Sequence, residues 1–181
     1  MKLNKLAMVL GFGVALTAGA ASAVNQGSGT VKFSGSIIDA PCSIKNTNID
    51  VNLGAVSSHI LKDGGRSESK AFKIELQNCT AKTQNGVKTT FTGAEADEKG
   101  LLGIEGPGSG AAIAITNAGG KIIPLGTESD KFSLHEGSNA LNFAAHLKGL
   151  TTAQGVDGKN QHSEIKPGTF TAIANFTLNY L

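Results

Sequence analysis

The sequence predicts an all-β sandwich, and three observations carry that prediction. About eight short runs alternate apolar and polar residues with period two. Turn-forming residues separate these runs. Helix signals are scarce: there are 24 glycines, Thr and Val are frequent, and few windows keep a 3.6-residue period. Many short strands punctuated by turns point to two packed sheets.

Taken in order, residues 24–30 (V-N-Q-G-S-G-T) read as a flexible polar arm. A first run follows, in which Val31, Phe33 and Ile37 alternate with Lys32, Ser34 and Ser36. It precedes Pro41 and Cys42, so a sticky strand lies before the first point at which the chain is fixed. A lone apolar strand is an aggregation hazard and needs a place to dock. Next come Ile49, Val51 and Leu53, then Phe72, Ile74 and Leu76, then Val87, Thr89 and Phe91. The runs 111–116, 121–125 and 141–147 follow. Asp63-Gly64-Gly65, Asn85-Gly86, Asn117 to Gly120, Glu136-Gly137 and Asp157-Gly158 supply residues that tolerate positive φ. Asn117 to Gly120 reads as a hairpin loop. Residues 94–110 and 151–167 read as surface excursions.

The last run is the strongest. Phe170, Ala172, Ala174, Phe176, Leu178 and Tyr180 are apolar or aromatic. The residues between them are polar except Ile173. Only Leu181 follows Tyr180, and termini are loose unless docked. The sequence therefore predicts a C-terminus that is structural or held by a partner.

Residues 1–23 read as a secretory signal. Lys2 and Lys5 precede the apolar stretch Leu6 to Ala18, and Ala21-Ser22-Ala23 is a small-x-small cleavage site. The stretch is short of the roughly 20 apolar residues a membrane span needs. No other stretch is apolar enough to span a bilayer. Of 16 Lys+Arg and 14 Asp+Glu, the signal removes two lysines and leaves the charges balanced. Nothing there suits nucleic acid, which calls for a basic surface. A near-neutral chain permits self-association. In an exported chain Cys42 and Cys79 read as one disulfide, against the alternative of free thiols or half a metal site. A loop of that size stabilises by roughly 4 kcal/mol in the chain-entropy model.

No catalytic constellation is visible. His59, His135, His146 and His162 are scattered, with neither H-x-H nor H-E-x-x-H. There is no G-x-S-x-G elbow. Gly106-Pro107-Gly108-Ser109-Gly110 does not match G-x-G-x-x-G, and Gly120-Lys121 fails as a P-loop. Asp97 and Glu98 read as a solvated charged loop. The sequons at Asn78 and Asn175 fall in apparent strands, where chance accounts for them. With no Trp and one Tyr, a stacked-aromatic carbohydrate site is disfavoured.

Three stretches carry a family resemblance. They are G-T-V-K-F-S-G-S-I-I-D-A-P-C-S-I (Gly29 to Ile44), I-E-L-Q-N-C-T (Ile74 to Thr80), and the final strand from Gly168 with its penultimate Tyr180. The mature chain resembles a pilin subunit of the chaperone–usher pathway, in particular the major rod subunits of P-type and mannose-resistant fimbriae. The resemblance implies an incomplete immunoglobulin-like β-sandwich lacking its last strand, with an N-terminal donor-strand extension. It divides the chain into a signal peptide (1–23), a donor-strand extension (24–38) and a pilin domain (39–181).

The implied function is structural: polymerisation by donor-strand exchange into an adhesive surface filament, with no enzymatic activity and no cofactor. The implied partners are a periplasmic pilus chaperone, an outer-membrane usher, other copies of the chain and other pilins. The implied location is the cell-surface fimbrium of a Gram-negative bacterium, reached through the periplasm. Val31, Phe33, Gly35 and Ile37 would be the donor residues. Gly35, on the apolar side of its run, implies a shallow pocket or close backbone approach; as a lone strand glycine it also reads as a bulge. Gly168, Phe170, Ala172, Ala174, Phe176, Leu178 and Tyr180 would form the strand that lines the groove and meets the chaperone. The alternatives are a minor adaptor or terminator pilin, and a self-complete secreted β-sandwich that binds a ligand.

Overall fold

The computed structural model describes residues 29–35, 37, 41–80, 86–154 and 160–181. The signal, arm residues 24–28, Asn85 and the Asp157-Gly158 turn lie outside the described residues. The chain divides into two units between Ile37 and Ile38. In the first, residues 29–35 and 37 join no ladder. Val31 is 74% exposed, Phe33 90%, and Ile37 fully.

In the second unit, β1 (Ser43–Ile44), β2 (Lys70–Cys79), β4 (Leu102–Gly103), β5 (Ala111–Asn117) and β6 (Gly137–Gly149) form one antiparallel sheet. Its order is β1-β2-β6-β5-β4. The register sets Phe72 opposite Phe143 and Ile74 opposite Leu141, and Ile113 opposite Leu147. Side chains alternate between faces along a strand, so these residues share one apolar face. The second sheet pairs β3 (Val87–Gly93) with β9 (Ala174–Tyr180). The other edge of β3 bonds the segment 126–132, through Gly126 N–H to Phe91 O and the reciprocal Val87–Phe132 pair. A hairpin of β7 (Thr151–Gln154) and β8 (Asn160–His162) completes the strands.

The sheets meet over a phenylalanine cluster. Phe143 stacks on Phe72 at 5.7 Å and meets the edges of Phe91 at 5.0 Å and Phe132 at 5.3 Å. Such pairs contribute about 0.5–1.5 kcal/mol each beyond their area. Ile74, Leu76, Val87, Ile115 and Leu141 are buried around them.

Cys79 reaches this core because β2 bulges. The register with β6 shifts between Leu76 and Cys79, and Asn78 takes φ 55° there. Asn tolerates that conformation better than most residues. The extra residue re-phases the strand, so Leu76 and Cys79 both face inward although they lie an odd number of residues apart. Cys79 is then joined to Cys42 in a disulfide. Thr80 N–H donates to Pro41 O alongside it.

Four expectations change. Residues 94–110 are not a surface excursion: Leu101 and Leu102 are buried, and β4 joins the sheet. Residues 151–167 hold the β7–β8 hairpin and a segment paired with Ser109. The run 49–53 keeps its alternating burial but belongs to no ladder. The run 121–125 forms only a bridge from Ile122 to Thr116. The turn before it is as expected, with Asn117 Oδ1 accepting from the amides of Gly119 and Lys121. One helical turn, α1 (Ser58–Leu61), follows an N-cap at Ser57.

β5 is apolar on both faces because both faces are covered. Ile113 and Ile115 look into the sandwich, while Ala112 and Ala114 lie under Leu101 and Leu150 on the outer side. The covering loop is fastened by Glu98, which accepts hydrogen bonds from Lys148 Nζ and the Thr151 amide. Glu98 is therefore a structural anchor rather than a freely solvated charge. Burial pushes its carboxyl up, but these donors outweigh that and hold it below the usual carboxylate value. Among the described residues no helix is long and apolar enough to cross a membrane.

Candidate functional site

A cleft of about 850 Å³ opens along the second unit. Its floor is the apolar interior: Phe72, Phe91, Ile113, Ile115, Ala145 and Leu147. Its walls are two lengths of chain, residues 47–56 and 165–176.

The first wall turns Ile49, Val51 and Leu53 inward and the intervening residues outward. Among the described residues its backbone is unpaired. No backbone-to-backbone hydrogen bond joins residues 46–56 to another described residue. Only the side chains of Asn46 and Asn52 accept, from the amides of Asn48 and Gly54.

The second wall is bonded along one edge. Thr171 exchanges both backbone bonds with Glu105, and Leu181 N–H donates to Gly86 O. Between them β9 pairs with β3 without a register shift. Backbone groups point alternately to the two edges of a strand. The odd-numbered residues thus bond toward Glu105 and β3. The even-numbered ones, Phe170, Ala172, Ala174 and Phe176, present N–H and C=O to the open edge above the cleft. Their side chains face the interior yet stay only half-buried.

The site is therefore an apolar trough with main-chain donors and acceptors along both rims. A buried strand needs both its ladder bonds and its side-chain pockets filled. Here both are waiting.

Residues 31–181 match the model of a known family, described as fimbrial protein. The chain belongs to the fimbrial protein family. This fimbrial protein is 55% identical to the major MR/P fimbria protein of Proteus mirabilis (strain HI4320) over 184 residues, covering 99% of each chain. It is 47% identical to the fimbria A protein of Serratia marcescens, again over 99% of each. It is 37% identical to the Pap fimbrial major pilin protein of Escherichia coli, over 95% of this chain and 92% of that one. Among solved structures it resembles the P pilus rod subunit PapA, with TM-score 0.65 and 30% identity, covering 78% of this chain and all of that one. A chaperone–usher pilus structure matches with TM-score 0.65 and 32% identity, over 87% of this chain and 98% of that one.

Of the residues that the sequence assigns to the groove strand of this fimbrial protein, Gly168, Phe170, Ala172, Ala174 and Phe176 line the cleft. Leu178 and Tyr180 do not; they pack beside Val87 in the main core. Burial pushes the Tyr180 phenol up. Around Gly35 in the arm there is nothing within 4 Å of where a Cβ would stand. Sequence reasoning missed the opposite wall. Ile49, Val51 and Leu53 were legible as a strand, but nothing in the pattern says that its neighbour is absent. It also missed Ile104 and Ile165, isolated apolar residues in Gly-rich and polar segments.

Proposed function

We propose that this chain is the major structural subunit of a chaperone–usher fimbria, polymerising by donor-strand exchange into a surface filament used for adhesion. The cleft carries the reading: an apolar trough between two unpaired main-chain edges. Residues 1–23 act as the export signal, 24–38 as the donor extension and 39–181 as the acceptor domain. Val31, Phe33, Gly35 and Ile37 of one copy enter the cleft of the next. Main-chain bonds to both rims supply affinity, and alternate side chains fill the trough. Burying Val31, Phe33 and Ile37 contributes roughly 1.5–3 kcal/mol each. The contact is head-to-tail and does not close, so repetition gives a filament.

Before assembly the trough cannot stay open to water. A periplasmic chaperone covers it, and an outer-membrane usher presides over the exchange. The role is structural, without catalysis or cofactor. Deletion of residues 24–38 tests the reading. The truncated subunit should still form a chaperone complex but should fail to extend a filament. Continued polymerisation would show that the arm is not the donor.

A further inference from the structure

The final strand does not run straight into the cleft. It carries an extra residue, and two glycines hold it there. Ser109 pairs with Lys166, and Glu105 pairs with Thr171. The first segment advances four residues between these bridges and the second advances five. One more residue on one strand is a β-bulge, here at Pro167-Gly168-Thr169. Its effect is visible in the burial. Ile165 faces the interior before the bulge, and Phe170, Ala172, Ala174 and Phe176 face it afterwards. The inward set changes from odd to even numbers.

Gly168 sits within the bulge against Gly108. A Cβ on Gly168 would stand 2.4 Å from Gly108 N and 2.7 Å from Pro107 C. A Cβ on Gly108 would stand 2.7 Å from Gly168 O. The clashes are reciprocal and with backbone, so no side-chain rotation relieves them. Neither residue has positive φ. Space, not dihedral freedom, requires glycine here. Gly108 N–H also donates to Thr169 O at 3.1 Å, across the same contact.

We propose that the Gly108–Gly168 contact is a register lock for the acceptor cleft. It fixes the bulge, and the bulge decides which residues of the last strand face the incoming one. Gly168 is then a positioning residue, acting through the chain's own Gly108 rather than through the donor. This rests on the strand-acceptor reading above and goes beyond it by naming what sets the alignment.

The test refolds the mature chain at high dilution in an excess of a labelled synthetic peptide of residues 29–40, so that the peptide covers the trough as it forms. Affinity is read by fluorescence anisotropy. Alignment is read by disulfide trapping between a cysteine at Ala172 and a cysteine walked along the peptide. The wild-type chain should bind the peptide with one trapping maximum. Gly168→Ala should bind about tenfold or more weakly, from the strain of overpacking. Its maximum should move to a neighbouring position or spread over several. A merely structural role would weaken binding and leave the maximum in place.

Gly108→Ala should reproduce both changes, and the double variant should be no worse than the poorer single one. If Gly168→Ala does not fold, Gly108→Ala carries the test. If neither folds, the contact serves the domain rather than its alignment and the proposal falls. An unchanged maximum and affinity would also overturn it. Absence of peptide binding to the wild-type chain would instead overturn the strand-acceptor reading itself.

Discussion

Phe91 and Phe176 stand opposite each other on neighbouring strands, yet Phe91 is 3% exposed and Phe176 is only half-buried. The two rings face the same interior from one rung of the ladder. Phe91 has β9 on one side and the segment 126–132 on the other. Phe176 has β3 on one side and the cleft on the other. The difference between them measures what one more strand would cover.

That difference separates two substitutions. Phe91→Ala should destabilise the subunit itself, by about 3–5 kcal/mol as for a buried aromatic. Phe176→Ala should cost the unassembled subunit less and should act mainly on the joint between copies. Denaturant unfolding of the chaperone-bound subunit and SDS resistance of assembled filaments distinguish the two. Equal loss in both assays for both variants would contradict the assignment.

Gly35→Arg should leave the subunit's own fold intact, because no atom stands within 4 Å of its missing Cβ. On the proposed donor-strand reading, an occupied trough leaves no such room. The expected result is a normal yield of chaperone complex with filament extension slowed or stopped. A normal rate of assembly would contradict close packing around this position.

Cys42→Ser should lower stability by about 2–5 kcal/mol, the usual effect of removing a native disulfide from a small exported domain. The loss falls on the joint between β1 and the bulged end of β2. A reduced yield of chaperone complex is the readout, and an unchanged yield would argue against a structural role for the bond.

Acid should weaken the fold in two separate windows. His146 is buried, with Nδ1 3.4 Å from Ser69 Oγ. Burial first, and then the charges of Arg66 and Lys148, hold its imidazole below the usual 6.5. Lys148 is itself paired to Glu98. Between 6.5 and the lowered value, the unfolded chain binds a proton that the folded chain resists. Stability therefore falls as pH drops through that interval and is insensitive to His146 above it. Glu75, Glu98, Glu128 and Asp130 are all held below their ordinary values. Their contribution is present above those values and is lost at lower pH. Calorimetric melting from pH 8 to pH 5 should show a decline that His146→Gln flattens. An identical decline in the variant would remove His146 as its source.

The legible parts of this fold were those where one face is wet and one is dry. Phe72, Ile74 and Leu76 announce β2, and Leu141 and Leu147 announce β6, because each is followed by a polar residue: Lys73, Glu75, Gln77, Asn142 and Lys148. The Asn117 turn was equally plain, since its side chain caps its own loop. Where that contrast fails, so does the reading. Ala111 to Thr116 reads as a strand run and forms β5, but the layer that covers its outer face is not legible, because Ala112 and Ala114 break the contrast with Ile113 and Ile115. Leu101 and Leu102 are neighbours that bury on different elements, so no period marks them. Bulges at Asn78 and Gly168 add one residue each, and a period of two cannot register an odd step. The first wall of the cleft, residues 47–56, reads only as one more alternating run because alternation reports which way a side chain points, not whether a strand lies alongside.

The lid over Ala112 and Ala114 has a consequence for how copies meet. A β-sheet with a bare greasy back invites others to stack on it, and stacking in a second direction would turn threads into rafts. With Leu101 and Leu150 folded down and Glu98 pinning the loop, that back is shut. On the proposed reading the joint between copies is left to the arm and the cleft, and a molecule that joins so lengthens without thickening.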